Sequence, residues 1–84
     1  MPVIARFYSI VVKMYYLEDE HNPPHIHARY NEFEGIFDIA TGDMTRGNLP
    51  KNAIRLVNDF VSQYRERLLD MWENQDFETL EFKE

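Results

Sequence analysis

The sequence predicts an α+β fold of two layers, with about four to five antiparallel β-strands in a meander packed against one long C-terminal α-helix. Three observations carry this expectation. The N-terminal half is built from short runs rich in β-branched and aromatic residues, several of which alternate apolar and polar positions. Turn-forming residues separate those runs. From Pro50 onward, apolar residues recur at spacings of three and four for more than five turns.

Taken in order, Val3 to Phe7 and Ile10 to Leu17 read as the first two strands, with Ser9 as the turn or bulge between them. In the second run Val12, Met14 and Tyr16 share one face, and Val11, Lys13 and Tyr15 the other. Glu18 to Pro24 is a polar loop, because two successive prolines cannot sit inside a sheet ladder. His25 to Tyr30 makes a third strand, with Ile26 and Ala28 on one side and His25, His27 and Arg29 on the other. Phe33 to Ile39 follows as a fourth, across an Asn31-Glu32 turn. Thr41-Gly42-Asp43 and Gly47 are turn signals.

The helix is expected over 50–74, with Pro50 in the first turn, where its missing N–H costs nothing. Its stripe runs Ala53, Ile54, Val57, Phe60, Val61, Tyr64, Leu68, Met71 and Trp72. Leu56 and Leu69 widen the stripe, which leaves a homodimer contact as a candidate. The tail, 77–82, alternates well enough to be an edge strand.

Composition bounds the rest. The 84 residues allow a single domain, 1–84, that buries roughly 60–65% of the surface of its unfolded chain. There is no cysteine, hence no disulfide or thiolate metal site, which suits a reducing cytoplasm. No run is long enough to span a membrane, and no export signal opens the chain. The net charge is −6, with residues 66–84 carrying seven acids against Arg67 and Lys83. That balance does not favour nucleic acid, whose binding draws on a basic face. The acidic end reads as a solvated helix face, or as a patch for a basic partner.

The concentrated polar feature is His21-Asn22-Pro23-Pro24-His25-Ile26-His27, which holds all three histidines of the chain. At strand spacing, the rings of His25 and His27 leave the same face about 6–7 Å apart. A proline-braced loop brings His21 toward them. Two imidazoles preset by a strand and a third on a loop are a donor set for zinc, iron or manganese. Glu18, Asp19, Glu20 and Glu32 are the candidate oxygen ligands. The same rings are candidates for acid–base catalysis, with Arg29 stabilising an oxyanion or phosphate and Tyr30 beside it. A third reading is structural: histidines beside a proline turn cap backbone groups or pack under a tyrosine. Pro-Pro-His-x-His followed by Glu32 is similar to part of the first cupin motif, but no second motif follows and the chain is short for that barrel.

The opening Met1-Pro2-Val3-Ile4-Ala5-Arg6-Phe7-Tyr8, the histidine segment through Ala28, Gly47-Asn48-Leu49-Pro50, and Leu68 to Glu73 resemble domain of unknown function family 4160, across nearly the whole chain. This sequence has Ser9 where that family often has glycine. The resemblance implies a small stand-alone bacterial protein, encoded beside another small protein and suggested in some cases as a toxin–antitoxin component. Two functions are therefore expected. The first is a binding or regulatory module acting with a small partner protein. The alternative is a small hydrolase or ribonuclease-like toxin using His21, His25 and His27 as metal ligands or as acid and base.

Overall fold

The computed structural model describes residues 2–15 and 23–83. Five strands, β1 (Val3–Phe7), β2 (Ile10–Lys13), β3 (His25–Tyr30), β4 (Phe33–Asp38) and β5 (Met44–Gly47), precede one helix, α1 (Lys51–Asn74). The strands pair antiparallel in chain order, β1-β2-β3-β4-β5, as a meander. The α+β class and the two-layer plan stand as the sequence predicts them.

Alternation decides which side is covered. Ile4, Ile10, Val12, Ile26, Ala28 and Phe37 are fully buried on one face of the sheet. They meet Val57, Phe60, Val61 and Leu68 of α1, whose apolar stripe is buried along its length. Leu56 is buried within the chain's own core and Leu69 packs against it. Burial of side chains this size stabilises by about 1.5–3 kcal/mol each, so the shared layer dominates the folding energy.

Several boundaries differ from the sequence reading, each for a local reason. β2 ends its ladder at Lys13, and just beyond it Met14 N–H donates to the Pro2 carbonyl at 3.2 Å. Residues 16 and 17, expected at the end of that strand, lie outside the described residues. β4 stops at Asp38, whose carboxylate accepts from the N–H groups of Ala40 and Thr41 and so turns the chain. β5 was not expected. Among its residues only Met44 packs inward, so it shows no apolar alternation.

The tail, 77–82, forms no ladder. Leu80 N–H donates to the Ile4 carbonyl at 2.7 Å, while Leu80 and Phe82 are buried. Phe82 packs edge-on against Phe7 and Phe60, and Tyr64 O–H donates to the Glu81 carbonyl. The tail therefore shields the β1 edge by its side chains more than by backbone pairing.

Two turns carry strain that the sequence explains. Tyr8 and Ser9 both have positive φ, 47° and 69°, and Phe7 pairs with Ile10 across them. That is a mirror-image two-residue hairpin turn, which matches the twist of the strands but favours glycine at its second position. Gly47 has φ 108°, and a Cβ there would collide with the Glu34 carbonyl and the Gly35 Cα. β5 can lie this close to β4 only with glycine at 47.

Ser9→Gly is therefore expected to stabilise the domain by about 0.5–1 kcal/mol, relief of left-handed strain outweighing the added chain entropy. Gly47→Ala is expected to cost about 1–3 kcal/mol. Thermal melts read both, at about 4–8 °C per kcal/mol for a domain of this size.

Candidate functional site

With α1 on one face, no element among the described residues covers the other face of the sheet. Cross-strand register defines its rows. Arg6 pairs with Val11, Val11 with Arg29, and Arg29 with Glu34. The next row runs Val3, Lys13, His27, Ile36 and Arg46 from β1 to β5. Beyond it His25 faces Asp38, with Tyr15 following Lys13 on the same side. Four of the chain's nine lysines and arginines thus share this face with Glu34 and Asp38. The Arg55–Asp59 and Arg67–Glu78 pairs lie on the helix and tail, and no pair among the described residues neutralises Arg6, Lys13 or Arg46.

The rings of the face form a continuous series. Tyr15 stacks on His27 with centroids 4.3 Å apart and planes 19° from parallel. His27 and His25 are 5.3 Å apart, and His25 lies 5.0 Å from Trp72 of α1. Trp72 is buried, so the series runs from the open face round the end of the sheet into the core.

His25 Nδ1 lies 2.8 Å from the Pro23 carbonyl. A carbonyl only accepts, so Nδ1 carries the proton, and a neutral His25 has its lone pair on Nε2. The proline turn thereby sets the tautomer as well as the direction of the ring. Tyr15, His27, Glu34, Ile36 and Arg46 line a shallow groove of about 380 Å³ between them.

Of the residues singled out by sequence, His25, His27 and Arg29 do share a face. Arg29 Nε donates to the Asn31 carbonyl at 3.0 Å, which holds its side chain toward the far turn. Glu32 sits in that turn, at the other end of β3 from His25. His21, Glu18, Asp19 and Glu20 lie outside the described residues. Among the described residues no three histidines or carboxylates are grouped to hold a metal ion. Tyr15, Lys13 and Arg46 were not singled out. Tyr15 and Lys13 were legible as same-face neighbours in β2, whereas Arg46 sits on the strand that the sequence hides.

A larger groove of about 450 Å³ lies elsewhere, between the β1–β2 turn and the start of α1, lined by Tyr8, Tyr30, Pro50, Arg55 and Leu56. It carries one arginine and none of the histidines. The polar groups converge on the sheet face instead.

The molecule is thus a small meander-plus-helix protein with a polar, ring-bearing open sheet face. A family model, "Domain of unknown function (DUF4160)", matches residues 9–73, and the chain belongs to that family. No curated protein and no solved structure matches it. No helix among the described residues is long and apolar enough to cross a membrane.

The tautomer is checkable directly. Long-range proton–nitrogen correlation spectra at alkaline pH should show His25 protonated on Nδ1. An Nε2-protonated ring would mean that the Pro23 hydrogen bond does not form in solution.

Proposed function

We propose that the protein is a small binding or regulatory module that acts with another macromolecule, and that the partner docks on the open face of the sheet through its anionic groups. One observation carries this: alternation gathers Arg6, Lys13, Arg29 and Arg46 on the single sheet face that the helix leaves uncovered. Cations on a flat face steer an anionic partner and fix its register. Rings at the centre of the face supply contact area at low entropic cost. A small partner protein presenting an acidic segment fits this reading, and the toxin–antitoxin pairing implied by the family resemblance belongs with it.

A second reading is favoured by the 5.3 Å separation of the His25 and His27 rings and the fixed His25 tautomer. One imidazole would take the proton of a ribose 2′-hydroxyl as that oxygen attacks phosphorus. The other would protonate the departing 5′-oxygen, leaving a cyclic phosphate. A metal centre on the same segment would need its third ligand from His21 or from the acids at 18–20.

The docking reading is tested by titrating labelled protein with polyglutamate and with an oligonucleotide. Amide shifts should concentrate at Lys13, His27, Ile36 and Arg46. Lys13→Glu with Arg29→Glu should remove them while leaving the melting temperature within about 5 °C, as for exposed positions generally. Shifts confined to α1, or none with either polyanion, would sink the reading. For the catalytic reading, purified protein is assayed for RNA cleavage beside His25→Ala and His27→Ala. Unchanged cleavage in both variants removes these histidines from any reaction.

A further inference from the structure

The partner class follows from what the face offers beyond charge, and it rests on the docking reading above. We infer that the anionic partner is a single-stranded nucleic acid, with its phosphates on Arg6, Lys13, Arg29 and Arg46 and a base stacked at the Tyr15–His27 pair.

The net charge of −6 does not describe this surface, because most acids among the described residues lie elsewhere. Six of them, Glu66, Asp70, Glu73, Asp76, Glu78 and Glu81, fall on the helix end and tail, behind the sheet. Glu18, Asp19 and Glu20 lie outside the described residues. The cations form two rows, Arg6–Arg29 and Lys13–Arg46. Of the two acids on the face, Asp38 is bound to the N–H groups of Ala40 and Thr41, and Glu34 stands opposite Arg29.

Strands about 4.8 Å apart place Arg6 and Arg29 about 10 Å apart, and Lys13 and Arg46 about 14 Å apart. The row between Lys13 and Arg46 is His27 and Ile36, so cation, ring, apolar side chain and cation follow one another across the sheet. A single strand presents the complement, with charged phosphates alternating with flat bases. An acidic peptide offers the charge but no ring face. A duplex hides its bases, and among the described residues this sheet face has no projecting helix or ribbon to enter a groove. Sheet faces carrying aromatic rings and a basic surround are a recurring platform for single strands.

Fluorescence anisotropy with labelled uridine, adenosine and thymidine strands of about ten nucleotides decides the matter. Untagged protein should bind single strands more tightly than a duplex of the same length. With three or four phosphates engaged, the slope of log affinity against log salt should be about −2 to −3. Lys13→Gln or Arg46→Gln should weaken every strand alike and flatten that slope by about 0.7 each. Tyr15→Leu should cost about 5- to 100-fold at unchanged slope, and Tyr15→Phe should restore most of it. Arg67→Gln, on the helix, should change neither quantity.

A preference for RNA over DNA would assign a contact to the 2′-hydroxyl, for which Glu34 is an acceptor on the face. Equal binding would place the contacts on base and phosphate alone. If polyglutamate binds and no single strand does, the inference fails and the docking reading survives. If neither binds, both fail. Strand binding that responds to Arg67→Gln but not to Lys13→Gln would overturn both as well.

Discussion

One helix can bury one face of a sheet and no more. Five strands at about 4.8 Å spacing make a sheet about 19 Å across, while a helix with its side chains is about 10–12 Å wide. The 24-residue α1 therefore covers the middle of one face and leaves its flanks to smaller pieces. Leu49 enters from the connection before α1, and Leu80 and Phe82 from the tail. Among the described residues, no element packs over the opposite face. Everything distinctive about the molecule follows from that shortage of covering chain.

Holding the single helix in place falls to polar side chains as well as to the core. Asn58 Nδ2 donates to the Gly42 carbonyl at 2.8 Å, and Arg65 Nε to the Ile39 carbonyl at 2.9 Å. Both acceptors belong to the β4–β5 connection, so the helix is fixed to the turn that launches β5. Between these two anchors α1 departs from helical geometry at Tyr64, with φ −114° and ψ 18°. The kink coincides with the hydrogen bond from Tyr64 to Glu81 of the tail. A straight helix meeting a twisted sheet would satisfy one end at the expense of the other, and a local break lets both ends seat.

The parts of this plan that were legible in sequence are those in which burial repeats. Ala53, Val57, Phe60, Val61 and Leu68 announce α1 because every third or fourth residue must be apolar to reach the core. Ile26 and Ala28 announce β3, and fix the opposite side of His25 and His27, for the same reason at a period of two. β5 was invisible because an outer strand beside a tail-free edge needs only Met44 inside, and Gly47 reads as a turn signal. The basic face was illegible for a related reason. Its four cations are contributed singly by four different strands, so no window of sequence contains two of them close together, and only the pairing register brings them side by side. Net charge sums over both layers and erases that contrast.

The histidine segment joins the two layers, and this bears on how binding at the face is felt elsewhere. Tyr15, His27, His25 and Trp72 touch in order, and the last of these is a core residue in the final turns of α1. Ile39 N–H donates to the Pro24 carbonyl at 3.1 Å, so the proline turn is also tied to the end of β4. A partner that presses on the half-buried Tyr15–His27 pair therefore loads, through His25, the buried Trp72, whose close-packed surroundings rearrange between discrete arrangements rather than deform smoothly. The rigid Pro23-Pro24 approach keeps the two imidazoles from relaxing away into solvent. Placing the rings at the end of the sheet, where face and core meet round a corner, gives a disturbance of this part of the open surface a direct path to the helix. Of the two rows of cations, Lys13–Arg46 contains His27 and so shares this connection, whereas the Arg6–Val11–Arg29–Glu34 row contains no ring.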